Sequence, residues 1–320
     1  MVGRRQISNR MNELELIRLL TRGLPSNPSV ITGAGDDCAV LDLGVPGRQV
    51  LFKTDAIVEG VHFTGETPPE KIGRKALARC LSDIAAMAGT PTAALVTLAL
   101  PAGYELARVQ GIYAGLNQLA LQHHVAIAGG ETTTNPERML ISIALLGTVD
   151  AGHVLRRTGS SAGDAIFVTG RLGGSIAGHH LDFEPRLAEA RWLAEEFLPC
   201  AMIDVSDGIA SDLRHLLAAA GLGAELRAAS IPISRAAKER AKESSAAKPP
   251  LLAALTDGED FELLFTVASR DAVKLLDAWK ARFPEVPLTC IGKVTATPGI
   301  ALRDTTGLKP MPQHGYVHLE

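Results

Sequence analysis

Short apolar runs rich in β-branched residues alternate along this chain with stretches whose apolar residues return at helical spacing. A period of two residues suits a strand and one of about 3.6 a helix, so the alternation predicts an α/β protein, not a bundle or a sandwich. Gln49–Thr54 reads as a strand with Asp55 at its end. Glu70–Met87 reads as a long helix that closes at Gly89 and that Pro91 forbids from continuing. Thr92–Leu100, Val125–Ala128 and Met139–Val149 follow as strands, with a helix over Tyr104–Gln122 between the first two. The pattern restarts at Asp164 with a strand over Ala165–Thr169, then Gly170 and a Gly173-Gly174 loop. A strand at Met202–Val205, a helix at Gly208–Ala220 and strands at Phe261–Val267 and Leu288–Val294 come after it. Ser230–Pro250, rich in Ala, Lys, Ser and Pro, reads as a surface excursion carrying a solvated helix. At 320 residues and 46% hydrophobic the chain can bury a large core, and two domains, 1–150 and 151–320, are expected.

A net charge of -3 and the lack of any basic run argue against nucleic acid or an anionic membrane surface as partner. The apolar run at Thr92–Leu100 is too short to span a bilayer. Arg4, Arg5 and Arg10 lead into no signal-like apolar stretch, because Glu13 and Glu15 interrupt Leu14, Leu16 and Ile17. A cytoplasmic protein with small-molecule partners is expected. Cys38, Cys80, Cys200 and Cys290 form no Cys-x-x-Cys pair and read as buried free thiols.

The informative residues are acids in apolar company. Asp36-Asp37 follow Gly33-Ala34-Gly35, Asp83 lies in a helical apolar stretch, and Asp204 and Asp207 flank Val205-Ser206. Taken singly, each reads as a helix cap or a turn residue. Taken together with Asp55, they would be costly to bury without a positive partner. All donors are oxygens, Thr54 and Ser206 stand beside them, and no His or Cys set matches, so Mg2+ is preferred over Zn2+ and phosphate chemistry follows. There is no Gly-x-x-x-x-Gly-Lys-Ser/Thr, Gly33-Ala34-Gly35 lacks the third glycine of a dinucleotide fingerprint, and the protein-kinase motifs are missing. A nucleotide must be held some other way.

Seven segments in order resemble the thiamine-monophosphate kinases, within the aminoimidazole ribonucleotide synthetase-like superfamily. They are Gly33–Ala39, Thr54-Asp55 leading to Glu59–Phe63, Ala76–Met87, Gly129–Thr133, Arg157–Gly159 before Gly163-Asp164, Ile203–Gly208 and Gly258–Phe265. Gly315-Tyr316-Val317-His318 resembles the family's closing motif. The resemblance implies an α/β fold of the α+β type in two domains, the N-terminal sheet pairing with its copy in a homodimer. It also implies ATP-dependent phosphorylation of thiamine monophosphate to thiamine diphosphate. By motif, Asp37, Thr54, Asp55, Asp83, Glu131, Asp204 and Asp207 would hold several Mg2+ ions, and Gly130, Arg157 and Ser206 would contact ATP. His62, Glu259 and Tyr316 would face thiamine monophosphate, Glu259 and Tyr316 suiting a cationic thiazolium. A role for K+ is left open.

The chain departs from the family pattern twice. Glu131 stands where the family usually has Asp, which draws its metal role into question because Mg2+ tolerates little geometric slack. Lys53 stands where the family tends to have a hydroxyl residue, and an ammonium cannot be a ligand. It either replaces the charge of an ion or points away, and fewer metals with unchanged chemistry is the expectation. The acceptor is a phosphate whose second pKa, near about 6, leaves it deprotonated at neutral pH, so no general base is needed and direct in-line transfer is expected. The alternatives are another ATP-using enzyme of the superfamily and a non-catalytic nucleotide-binding homologue. Selenophosphate-type and hydrogenase-maturation enzymes need a reactive Cys near one terminus, whereas Cys38 lies inside the acidic loop.

Overall fold

The structure, a computed structural model, describes residues 13–244, 246–311 and 315–316. Arg4, Arg5 and Arg10, and Val317-His318 of the closing motif, lie outside the described residues.

The N-terminal half runs α1 (Glu13–Thr21), β1 (Val30–Thr32), β2 (Ala39–Leu41), β3 (Arg48–Val58), α2 (Pro69–Ala86), β4 (Thr90–Leu100), α3 (Leu106–Gln122), β5 (Ala126–Thr134) and β6 (Leu140–Asp150). Its sheet has the order β1-β2-β3-β6-β4-β5. All pairs are antiparallel except β4–β5, which α3 connects as a parallel crossover. β3 pairs with β6 as far as Val58↔Leu140, so Asp55 lies inside the strand and not at its end. The two-residue alternation then decides orientation. Leu51, Lys53, Asp55 and Ile57 turn to the covered face, while Phe52, Thr54 and Ala56 turn to the exposed one.

Helix α2 starts with Pro69 at its first turn and acidic Glu70 beside it, both favourable at a helix N-terminus. Almost all of it is buried, against α3, the sheet and the C-terminal half. Two glycines let α2 and α3 touch. A Cβ on Gly73 would lie 1.8 Å from Ile112 O, and one on Gly115 would lie 1.8 Å from Glu70 O. Gly115→Ala is therefore expected to force the helices apart and cost about 3 kcal/mol, the upper end for overpacking. A urea midpoint unchanged from the parent would refute this contact.

The C-terminal half continues with β7 (Ala165–Thr169), α4 (His179–Asp182), α5 (Leu187–Glu196), β8 (Ala201–Asp204), α6 (Ile209–Ala218) and β9 (Gly223–Arg227). There follow α7 (Arg235–Glu243), α8 (Pro250–Thr256), β10 (Leu263–Val267), α9 (Ala272–Arg282), β11 (Leu288–Thr295), β12 (Gly299–Asp304) and β13 (Gly307–Pro310). The sheet order is β13-β12-β9-β11-β7-β10-β8, with β12–β9 its parallel pair. β7, β8 and β10 are buried on both faces, which is why they read as unbroken apolar runs. Ile166 and Val168 face a core with Leu213 and Leu264, whereas Phe167 faces one that contains Leu77 and Leu81 of α2 together with Trp279. Helix α2 thus belongs to the packing of both halves. Helix α7 occupies the expected excursion and buries only Ala237.

All four cysteines are free. Cys38 and Cys80 are buried, as expected, but Cys200 and Cys290 are half-exposed. Among the described residues no helix is long and apolar enough to cross a membrane.

Candidate active site

The acids converge where α2, β8 and the loop after β1 meet. Oxygens of Asp37, Asp83 and Asp204 lie within 4.8 Å of one another, and all three side chains are buried. Asp83 comes from the last turn of α2 and Asp204 from the end of β8. Asp37 is clamped by Arg157, whose Nη2 and Nε donate to Oδ1 at 2.5 and 3.2 Å. Its Oδ2 is buried with no hydrogen-bond partner. Ser82 Oγ donates to Asp204 Oδ2 at 2.6 Å. Asp36, which had no assigned role, accepts from the Arg157 backbone N–H at 3.3 Å and fixes that arginine's segment.

These carboxyls repel one another in a dry setting. Burial, with the charge of Asp37, pushes Asp204 up to about 7 despite Ser82, Lys53 and Arg157. Burial and the same neighbour push Asp36 up to about 6. Asp83 is raised by burial against the opposing charge of Lys53. An orphaned oxygen and carboxylates lacking enough positive charge fit an oxygen-preferring divalent cation.

The sign of the pH effect follows. Between the unfolded value of 3.8 and about 7, folded Asp204 holds a proton that the unfolded chain has released, so stability falls as pH rises through that interval. Glu259, held at about 2, acts only below its ordinary 4.5, outside this window. Metal-free protein in EDTA is expected to lose several degrees of Tm between about pH 5 and about pH 8, and saturating Mg2+ to flatten the slope. A flat profile without metal would contradict it.

Lys53 does not point away. Its ammonium lies 3.0 Å from Asp83 Oδ2 and 3.8 Å from Asp55 Oδ1. Burial alone would lower its pKa, but Asp83 and Asp55 outweigh that and hold it protonated above its ordinary value. Alternation turns Thr54 to the opposite face, where its hydroxyl meets Ser142 Oγ at 3.4 Å, so its side chain does not join the cluster. Glu131 also stays outside: it lies with Gly130 on exposed β5, its carboxylate turned back to accept from Thr132 N–H at 2.9 Å. Asp207 belongs to the turn before α6, where its N–H donates to Asp212 Oδ2 at 3.1 Å.

Beside the cluster opens a cleft of about 300 Å³. His62, Ser206, Asp207, Glu259 and Tyr316 line it, together with Arg79, Phe261, Arg240 and Lys248. Glu259 and Phe261 hold left-handed φ values of 54° and 51°. Their N–H groups donate to Ser206 O at 2.7 Å and Val205 O at 2.8 Å, which pins the strained loop to the strand carrying Asp204. Beneath it Lys75, fully buried, donates to His62 O at 2.8 Å and lies 2.8 Å from Glu259 Oε1 and 2.9 Å from His180 Nδ1. Burial opposes ionisation of Glu259, but the His180 contact and the charges of Lys75 and Arg79 hold its carboxyl down at about 2.

Several of these residues escaped the sequence reading. Lys75 lies one helical turn from Arg79 and two turns from Asp83, so α2 presents all three on adjoining faces. A helical projection of the 70–87 segment would have shown a basic pair on a buried face. Arg79 joins the two regions: its Nε lies 3.7 Å from Asp55 Oδ2, and its Nε and Nη1 have no hydrogen-bond partner. Arg240 and Lys248 come from the excursion, at 3.5 and 3.0 Å from Asp257. Cys38 is buried, and burial with Asp83 and Asp37 nearby pushes its thiol well up, which removes it as a nucleophile.

Comparison with known proteins shows the family. Residues 35–149 match the model of AIR synthase related protein, N-terminal domain, and residues 151–305 that of AIR synthase related protein, C-terminal domain. Thiamine-monophosphate kinase of Rhodopirellula baltica is 43% identical over 96% of this chain and 96% of its own length. The Bacillus subtilis thiamine-monophosphate kinase is 32% identical over 97% and 100%. The solved structure of AaThiL complexed with AMPPCP and TMP superposes with a TM-score of 0.81 at 29% identity, covering 96% of this chain and 97% of that one. With the two AIR synthase related models covering residues 35–149 and 151–305 and these relatives matched over nearly their whole length, the chain belongs to the thiamine-monophosphate kinase family.

Proposed function

We propose that this protein transfers the γ-phosphoryl group of ATP directly to the phosphate of thiamine monophosphate, yielding thiamine diphosphate and ADP with Mg2+ as cofactor. The observation that carries the reading is the buried Asp37–Asp83–Asp204 cluster abutting a cleft that combines two aromatic rings, three acids and three cationic side chains.

The acceptor oxygen is already ionised, so the protein's task is to bring two anions together in line. Asp37, Asp83 and Asp204 are the residues that would hold Mg2+, which when bound supplies positive charge to the phosphates of ATP. Arg157, fixed by Asp37 and Asp36, reaches toward the same phosphates, with Ser206 and the Gly130 backbone as further ATP contacts. Arg79, whose guanidinium carries unused donors between cluster and cleft, receives the acceptor phosphate. Tyr316 and the ring of Phe261 accommodate the thiazolium. Glu259 is already paired with Lys75, so its first duty is to shape this wall and its second to offset the cationic ring.

We assign the division near residue 150 to the two domains and a dimer to the N-terminal sheet, whose exposed face carries Phe52 opposite Leu146, with Leu95 on the next strand. Free thiols suit a reducing cytoplasm. The test is product formation by purified protein with ATP and Mg2+, with unphosphorylated thiamine and an EDTA control alongside. Mg2+-dependent diphosphate formation from the monophosphate alone is expected; ATP binding with no product from any arm would shift the reading to a non-catalytic nucleotide-binding homologue.

A further inference from the structure

Lys53 stands on the covered face of β3, two residues before Asp55, and so shares its orientation. Its ammonium bridges Asp83 at 3.0 Å and Asp55 at 3.8 Å, and Arg79 approaches Asp55 from the other side at 3.7 Å. Asp55 thereby faces two fixed cations, and it is not one of the three carboxylates that converge within 4.8 Å. A divalent ion ligated by both Asp55 and Asp83 would need oxygens at about 2.1 Å, which places it where the ammonium lies. Both cations cannot share that volume.

We propose that Lys53 is a resident cation that takes the place of a divalent ion between Asp55 and Asp83, leaving Asp37, Asp83 and Asp204 to recruit metal. This rests on the metal-dependent reading of the cluster given above. A covalently held charge neither dissociates nor competes for free Mg2+, and Asp55 acts as its counter-ion instead of as a ligand.

The experiment counts Mn2+ bound per full-length chain by electron paramagnetic resonance titration with AMPPCP present, for the parent, Lys53→Thr and Lys53→Arg. Lys53→Thr is expected to bind one more ion than the parent, and Lys53→Arg, which keeps the charge, the same number as the parent. Equal non-zero counts for parent and Lys53→Thr overturn the proposal while leaving the metal-dependent reading intact. No Mn2+ binding by any of the three overturns both. If Lys53→Thr does not fold, anomalous diffraction from Mn2+-soaked parent crystals decides. Lys53 in place with no ion between Asp55 and Asp83 is expected, and a manganese peak there overturns the proposal.

Discussion

Asp204→Asn is expected to lower turnover at least about a hundredfold, a loss of about 2.7 kcal/mol of transition-state stabilisation. The substitution keeps the size and shape of the side chain and removes the charge. Ser82 Oγ, 2.6 Å away, can still donate to the amide oxygen, so the end of β8 stays in place. What disappears is one of three buried carboxylates within 4.8 Å of one another, and with it part of the reason for a cation to enter. The mutant should gain thermal stability in EDTA near neutral pH, because a group pushed up to about 7 by burial and Asp37 no longer has to ionise there. Steady-state rates with thiamine monophosphate and saturating ATP, set beside Tm in EDTA, check both halves. A near-parent rate would remove Asp204 from the machinery.

Lys75→Met is expected to cost about 3–5 kcal/mol of stability, the scale for breaking a buried ion pair by deleting one partner. Lys75 is fully buried, donates to the Glu259 carboxylate and the His62 carbonyl, and lies 2.9 Å from His180 Nδ1. Without it, Glu259 keeps its charge in a half-buried site, with only Arg79 and the His180 contact to offset it, and the strained 257–261 loop loses its anchor. The acceptor wall should loosen, so KM for thiamine monophosphate rises at least about tenfold while affinity for AMPPCP, which we assign to the Arg157 side, changes little. Lys75→Met/Glu259→Gln removes both charges and should recover part of the lost stability. Equal denaturant midpoints for the single and double mutants would show that the pair is not coupled.

The elements legible in the sequence were those with one unmistakable period. The 70–87 helix and the buried strands β7, β8 and β10 stand within a few residues of where periodicity put them. β3 and β5 run further than expected because pairing with a neighbour continued through residues that break an apolar run: Asp55 in one case, the Gly129-Gly130 pair in the other. Strand β9, whose Glu225 and Arg227 interrupt a short apolar run, was not seen at all. It exists because β11 and β12 pair with it from both sides. Helices α5 and α9 were missed for a related reason: their apolar sides are narrow, and it is the cluster of Trp192, Trp279 and Phe283 between them that holds them.

The candidate site divides in the same way. Residue type and local spacing identify the acids, because a carboxylate amid apolar neighbours is expensive wherever the chain goes. Lys53 stands out only through the resemblance, as a lysine where the family tends to have a hydroxyl residue, since an ammonium cannot be a ligand. Which acids meet was settled only by folding: α2 carries Asp83 to Asp204, 121 residues further along the chain, and strand alternation turns Asp55 inward and Thr54 outward. Lys75 meets Glu259 across 184 residues and Arg157 meets Asp37 across 120. Local periodicity reaches no further than the turn or strand that carries it, whereas these partners are selected by the packing of α2 between two sheets. That packing also decided that Lys53 points at the carboxylates and not away from them.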